Sequence, residues 1–165
     1  MRISDYTQDP IAIYSFREGA ERLNYPRVHY ANGVVKHDAT GKTFKPIVRM
    51  FKNWAANHWP KEPVAPSFYV ECLVSNVPDD SFQNDLARAF FAVGYWIEQN
   101  VPPSPAPVLW SVARDKDILV EKEWKRADYS RFHAQLSNSI TSVACAVKAD
   151  SVASATRNWR AAFNE

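Results

Sequence analysis

Glycine is scarce, with four among 165 residues. None of them falls in a Gly-x-Gly-x-x-Gly or Gly-x-x-x-x-Gly-Lys run, so a glycine loop that cradles phosphates is excluded. No Gly-x-Ser-x-Gly nucleophile elbow occurs either. Cysteine is scarcer still. Cys72 and Cys145 are too few for a disulfide framework, and both lie in apolar stretches that read as buried, reduced thiols. The four histidines, His29, His37, His58 and His133, stand at no ligand spacing to cysteines or carboxylates, so no protein-built metal site is expected. No apolar run approaches the roughly 20 residues that span a bilayer, and no signal peptide opens the chain. A soluble, cytoplasmic protein without a membrane segment is the expectation. Charge of one sign is missing too: 20 Lys and Arg against 18 Asp and Glu leave a formal net charge of +2. Any basic site must therefore be local.

What is present is aromatic. Six Trp, seven Tyr and nine Phe are spread along the chain and require a packed interior or a ligand to stack on. Ile11–Phe16 has strand composition, Arg17–Ala20 reads as a turn, and Glu21–Tyr25 returns antiparallel until Pro26 stops it. Two strands alone are marginal in water, and no other strong strand follows to pair with them. Residues 28–41, with His29, His37, Asn32-Gly33 and Thr40-Gly41, read as a loop. A helix over 43–57 carries Phe44, Ile47, Val48, Phe51, Trp54 and Ala55 as one apolar stripe, with Thr43 as N-cap and Pro46 in the first turn. Pro60 and Pro63 punctuate the link to a short buried helix that starts with Ser67 as N-cap. Pro78-Asp-Asp-Ser81 breaks and recaps the chain, and a third helix runs to Gln99 with Phe82, Leu86, Phe90, Val93 and Ile97 on one face. The prolines of 101–107 exclude helix there, and 109–120 is irregular. A helix over 126–150 presents Tyr129, Phe132, Leu136, Ile140, Val143 and Val147. The last, from Ser151, buries Val152, Ala155, Trp159 and Phe163. The fold expected is mainly α, a helical bundle of one domain with a short N-terminal β-hairpin.

Two carboxylate pairs test for metal chemistry. Asp115-Lys-Asp117 has the alternate spacing that two-metal phosphoryl transfer uses on a strand, but it lies in a turn-like stretch with no Gly-Ser turn ahead of it, and reads as solvated. Asp79-Asp80 read as a helix cap. The stronger feature is basic. Lys45, Arg49 and Lys52, at spacings of four and three, form a ridge beside the apolar stripe of their helix. The next helix opens with Pro66-Ser67-Phe68, which puts a hydroxyl, free N–H groups and an aromatic ring at a positive helix end. Cations on one helix and this set on the next suit a nucleotide, phosphates to one side and base to the other.

These segments resemble a known family. Phe44-Lys-Pro-Ile-Val-Arg-Met-Phe-Lys-Asn-Trp54, then Ala65-Pro-Ser-Phe-Tyr-Val-Glu-Cys-Leu-Val74, then Asn76-Val-Pro-Asp-Asp80 are similar to the central signature of the oligoadenylate synthase-like CD-NTases. Asn24-Tyr-Pro-Arg-Val-His-Tyr-Ala-Asn-Gly33 and Trp159-Arg-Ala-Ala-Phe163 are similar to the segment leaving the catalytic sheet and to the closing motif. The resemblance runs in order over about residues 10–165. It implies that residues 28–165 form the helical C-terminal domain and residues 1–27 a hairpin remnant of the nucleotidyltransferase lobe. It further implies that Lys52 contacts the donor triphosphate, Ser67 touches phosphate beside it, and Phe68 stacks on the donor base of an ATP- or GTP-type nucleotide. Arg49 and Lys45 are weaker candidates for phosphate or acceptor contacts, and Glu71 is assigned to a pair or hydrogen bond inside the bundle.

The departure from the family is as informative. Its members hold two Mg²⁺ ions with a Gly-Ser turn, an Asp-x-Asp pair and a third Asp. None of these precedes residue 25 here, and Asp5 and Asp9 have the wrong surroundings. No catalytic residue, metal ligand or bound cofactor is therefore assigned to this chain; Mg²⁺ is expected only in a complete enzyme, and the chain alone is expected to be inactive. One reading is a split or shortened member of an enzyme making cyclic or linear oligonucleotide signals in anti-phage defence, with a catalytic lobe in trans. The other is a non-catalytic helical module that binds a nucleotide or a partner. Strands left without a sheet make self-association a further expectation.

Overall fold

The computed structural model describes residues 10–15, 19–62 and 64–165. Phe16, the Arg17-Glu18 part of the expected turn, Asp5, Asp9 and Pro63 lie outside them. Strands β1 (Ile11–Ser15) and β2 (Ala20–Asn24) pair antiparallel, with Ala12 opposite Leu23 and Tyr14 opposite Glu21. Among the described residues six α-helices follow: α1 (Pro26–Ala39), α2 (Phe44–His58), α3 (Ser67–Ser75), α4 (Leu86–Asn100), α5 (Arg126–Val147) and α6 (Val152–Phe163). The architecture is a helical bundle with a two-stranded N-terminal hairpin.

The core forms where the apolar stripes meet. Phe44, Ile47, Phe51 and Trp54 of α2 are buried against Val70, Leu73 and Val74 of α3, Phe90, Val93 and Ile97 of α4, and Phe132, Leu136 and Val143 of α5. Fully burying one such side chain stabilises by about 1.5–3 kcal/mol. The polar atoms of the aromatics are also satisfied: Trp54 Nε1 donates to Ser139 Oγ at 3.0 Å, Trp124 Nε1 to the Val64 carbonyl at 2.9 Å, and the Tyr129 hydroxyl to the Val101 carbonyl at 2.7 Å. The α6 end returns to the C-terminus of α2, where the Ala162 carbonyl meets His58 Nε2 at 3.0 Å.

Several expectations need correcting. The largest concerns residues 28–41, which are not a loop: Pro26–Ala39 is helix α1, with Pro26 in its first turn. Val28, Val34 and Val35 are β-branched and Asn32-Gly33 is a turn sequence, so local propensity hides the helix. Long-range bonds hold it instead. Asn32 Nδ2 donates to the Val112 carbonyl at 2.7 Å, Lys36 donates to the Val77 carbonyl and pairs with Asp79, and Val28 and Gly33 are buried. Thr43 is the N-cap residue as expected but caps with no side-chain bond, and Ser67 is not the N-cap. The Phe44 amide donates to Thr40 Oγ1 at 3.1 Å; Pro66 holds the N-cap position of α3, whose first residue is Ser67.

Pro78–Ser81 does not start the third helix. Asp79–Ser81 is a single 3-10 turn, and α4 begins at Leu86, capped by Asp85, which accepts from the Arg88 amide at 3.0 Å. Phe82 is buried outside that helix, while Leu86 is exposed. The long helix ends at Val147 rather than Asp150. Val152 is 84% exposed because it opens α6 on the solvent side, where Ser151 accepts from the Ser154 amide. Cys72 is buried as expected, but Cys145 is exposed on α5. No described helix is long and apolar enough to cross a membrane.

Candidate functional site

Three helices bring the basic ridge and the aromatic helix start together. On α2, Lys45, Arg49 and Lys52 follow one face over about 10 Å, at 1.5 Å per residue. On α3, Ser67 and Phe68 precede Glu71 by four and three residues and so share its face. The apolar stripes of α2 and α3 pack against each other, which sets the two faces side by side at the surface.

Glu71 joins them. Lys52 Nζ lies 2.7 Å from Glu71 Oε2, and His29 of α1 places Nε2 3.2 Å from Glu71 Oε1. A carboxylate only accepts, so His29 Nε2 carries the proton in this contact. The His29 ring in turn leans on Phe68, with ring centroids 5.7 Å apart and planes at 30°. The hydrogen bond from His29, followed by the bond and charge of Lys52, holds the Glu71 carboxyl down at about 2 against the opposing effect of burial. Lys52 thus has a partner, yet of the three donors of its ammonium group Glu71 takes one.

The remaining ridge is more open. Lys45 Nζ sits over the exposed Tyr30 ring, 5.9 Å from its centroid, and Arg49 is exposed. Burial, then the Lys45 and Lys42 ammonium groups, hold the His37 imidazole below its ordinary value, and Arg49 acts in the same direction. These cations therefore converge on one patch where α1 ends and α2 begins. Ser67 is exposed at the start of α3, and Phe68 is half-buried. The arrangement offers ammonium donors, free helix-start amides and an aromatic face, which suits an anion that carries a ring.

The resemblance groups Lys52, Ser67 and Phe68, and the structure sets Lys52 and Phe68 on the two sides of the Glu71–His29 pair. His29 is the residue that sequence reasoning misses. It stands 42 positions from Glu71, and only α1, read as a loop from sequence, delivers it. Three of the four carboxylates in the two pairs take structural roles. Asp117 Oδ1 accepts from the Leu109 and Leu119 amides at 3.0 Å each, and Asp115 accepts from Ser111 Oγ, so both fasten the 109–119 loop rather than standing solvated in it. Asp79 pairs with Lys36 rather than capping a helix. Paired Mg²⁺ ions in phosphoryl transfer are held by clustered carboxylates together with substrate phosphates, and among the described residues no three His, Cys, Asp or Glu side chains gather to hold a metal ion. These residues do not fit such a centre.

Known proteins share this sequence and shape. The cGAS/DncV-like nucleotidyltransferase C-terminal helical domain matches residues 31–141. A cyclic UMP-AMP synthase of Rhodothermus marinus (strain SG0.5JP17-172) is 38% identical over 80 residues, which are 47% of this chain and 28% of that enzyme. A cyclic GMP-AMP synthase, CdnE03, of Staphylococcus schleiferi is 35% identical over 112 residues, 59% of this chain and 34% of that enzyme. The solved structure of Rhodothermus marinus CdnE c-UMP-AMP synthase with Apcpp and Upnpp superposes with a TM-score of 0.69 at 28% identity, covering 85% of this chain and 48% of that one. This chain thus spans less than half the length of each of these relatives. It belongs to the cGAS/DncV-like nucleotidyltransferase (CD-NTase) family and carries that family's C-terminal helical domain.

Proposed function

We propose that the chain supplies the donor-nucleotide-contacting half of a CD-NTase-type synthase that makes cyclic or linear oligonucleotide second messengers in cytoplasmic anti-phage defence. Within it, the helical domain begins with α1 at Pro26, two residues ahead of the boundary at 28 expected from sequence, and strands β1 and β2 act as the edge of the catalytic sheet. Lys52 grips the phosphates, Ser67 and the first amides of α3 add donors, and Phe68 stacks on the base; Arg49 and Lys45 extend the cationic strip. The observation that carries the reading is the convergence of Lys52 and Phe68 on the Glu71–His29 pair. The nucleotide analogues held by the Rhodothermus marinus relative support it.

By itself the 165-residue chain transfers no nucleotide in this proposal, because no Gly-Ser turn with an Asp-x-Asp pair occurs in it. Metal ions that position the attacking hydroxyl and offset charge would come from carboxylates on another lobe. Exposed Ile11, Tyr14 and Leu23 on the hairpin favour a protein surface as its cover, either a catalytic lobe in trans or a second copy.

Calorimetric titration of the whole chain with ATP and with GTP, both with Mg²⁺, tests the binding site. Wild type is expected to bind at least one of them, and Lys52→Ala to weaken that binding about 10-fold or more, the loss of a charge-assisted phosphate contact. A folded wild type that binds neither overturns the nucleotide site. Incubation with labelled nucleotides tests the predicted inactivity, which any oligonucleotide product overturns.

A further inference from the structure

The proposed nucleotide site has its two ends, phosphate grip and base platform, on different helices. Between them lies an unbroken line of contacts: Lys52 Nζ to Glu71 Oε2 at 2.7 Å, Glu71 Oε1 to His29 Nε2 at 3.2 Å, and the His29 ring against Phe68 at 5.7 Å. Phe68 and Glu71 share a face of α3 by their i,i+3 spacing, whereas Lys52 and His29 reach them from α2 and α1, where no local sequence rule requires the meeting. We infer that Glu71 and His29 are positioning residues that couple the phosphate grip of Lys52 to the stacking ring of Phe68, an inference that rests on the nucleotide-binding reading above.

Lys52 and Glu71 are both half-buried, so their bond is less screened than a surface pair and fixes the carboxylate plane. With Oε2 so held, Oε1 has one direction in which to accept from His29, and this sets the imidazole against one side of Phe68. Lys52 keeps two N–H donors, so a phosphate is able to engage it without displacing Glu71. Phosphate at Lys52 therefore loads the same bond that orients the ring, and a base on Phe68 restrains the same imidazole from the other end. Removing either end leaves the other loosely held, and the two losses overlap.

The test is a double-mutant cycle on ATP affinity, read by NMR titration of the whole chain so that weak binding is still measured. Lys52→Ala and Phe68→Ala are each expected to weaken binding. Together they are expected to weaken it less than the product of the single effects, by about fivefold, within the range found for residues in one network. In a Glu71→Met background, which keeps bulk and removes both oxygens, the two losses become multiplicative. Glu71→Gln retains part of the coupling, since its amide oxygen still accepts from Lys52 and its N–H₂ meets His29 Nε2 once the imidazole takes its other neutral tautomer. A purely structural role for Glu71 would lower stability in the Met variant without changing additivity. Should Glu71→Met not fold, His29→Leu breaks the same line at its other bond and carries the same comparison. Measurable wild-type binding with multiplicative losses overturns the coupling and leaves the nucleotide site standing, whereas a folded wild type that binds no ATP overturns both.

Discussion

Glu71 gives one carboxylate oxygen to Lys52 and the other to His29, and the balance of those bonds against burial sets how this part of the protein responds to acid. Its carboxyl is lowered from 4.5 to about 2, first by the His29 hydrogen bond and then by Lys52. A group whose folded value is depressed contributes stability that is fully present above its unfolded value and is lost as pH falls through the folded one. Here the window runs from about pH 4.5 down to about pH 2. Because the side chain is half-buried and partly screened, the contribution is about 1–2 kcal/mol rather than the full shift. Glu71→Gln is therefore expected to lower unfolding free energy by that amount at pH 7 in urea titrations. The gap to wild type should narrow below pH 4.5 and close near pH 2. A gap independent of pH would assign the loss to packing. Burial pushes the Cys72 thiol the other way, up to about 12, which leaves the exposed Cys145 as the more accessible thiol.

At the scale of elements, α2 was readable from sequence because its six buried apolar residues recur at helical spacing, and α5 because its stripe persists over several turns. Lys52 lies on the ridge beside the α2 stripe and Phe68 at the start of α3, and it is the family resemblance that singles the two out. Helix α1 was not readable, since the bonds that hold it reach residues 41 to 80 positions away and leave no periodic trace. His29 was lost with it. The α4–α5 crossing was equally hidden, because its closest approach depends on the absence of a side chain. A Cβ built on Gly94 would run into Ile140 Cδ1 and press on Phe51 Cζ at 3.4 Å. On a solvent-facing helix, replacing Gly by Leu gains up to about 1 kcal/mol from propensity. At this crossing overpacking is expected to outweigh that gain, so Gly94→Leu should lose about 1–3 kcal/mol by chemical denaturation. Unchanged stability would mean that Ile140 swings aside without cost.

For the whole molecule, the question is how the hairpin relates to the bundle. The strand register puts Tyr14 and Leu23 on one face of the hairpin and Ile11 on the other, and all three are about half exposed. Apolar side chains thus show on both faces of a two-stranded sheet, while the buried core lies among the helices and the segments that join them. The bundle's stability should therefore depend little on the hairpin, and its association with other chains should depend on it strongly. Removing residues 1–24 keeps Pro26 at the start of α1 and every buried residue of the core. The shortened chain is expected to melt within a few degrees of the full one, consistent with a change of about 1 kcal/mol or less in a domain of this size. In sedimentation velocity over a series of concentrations up to the highest soluble one, the full chain should show concentration-dependent association through its exposed strand edges and apolar side chains, and the shortened chain should remain monomeric. A full chain that stays monomeric across that range would exclude self-association through the hairpin, and a shortened chain that unfolds would place the hairpin inside the cooperative unit.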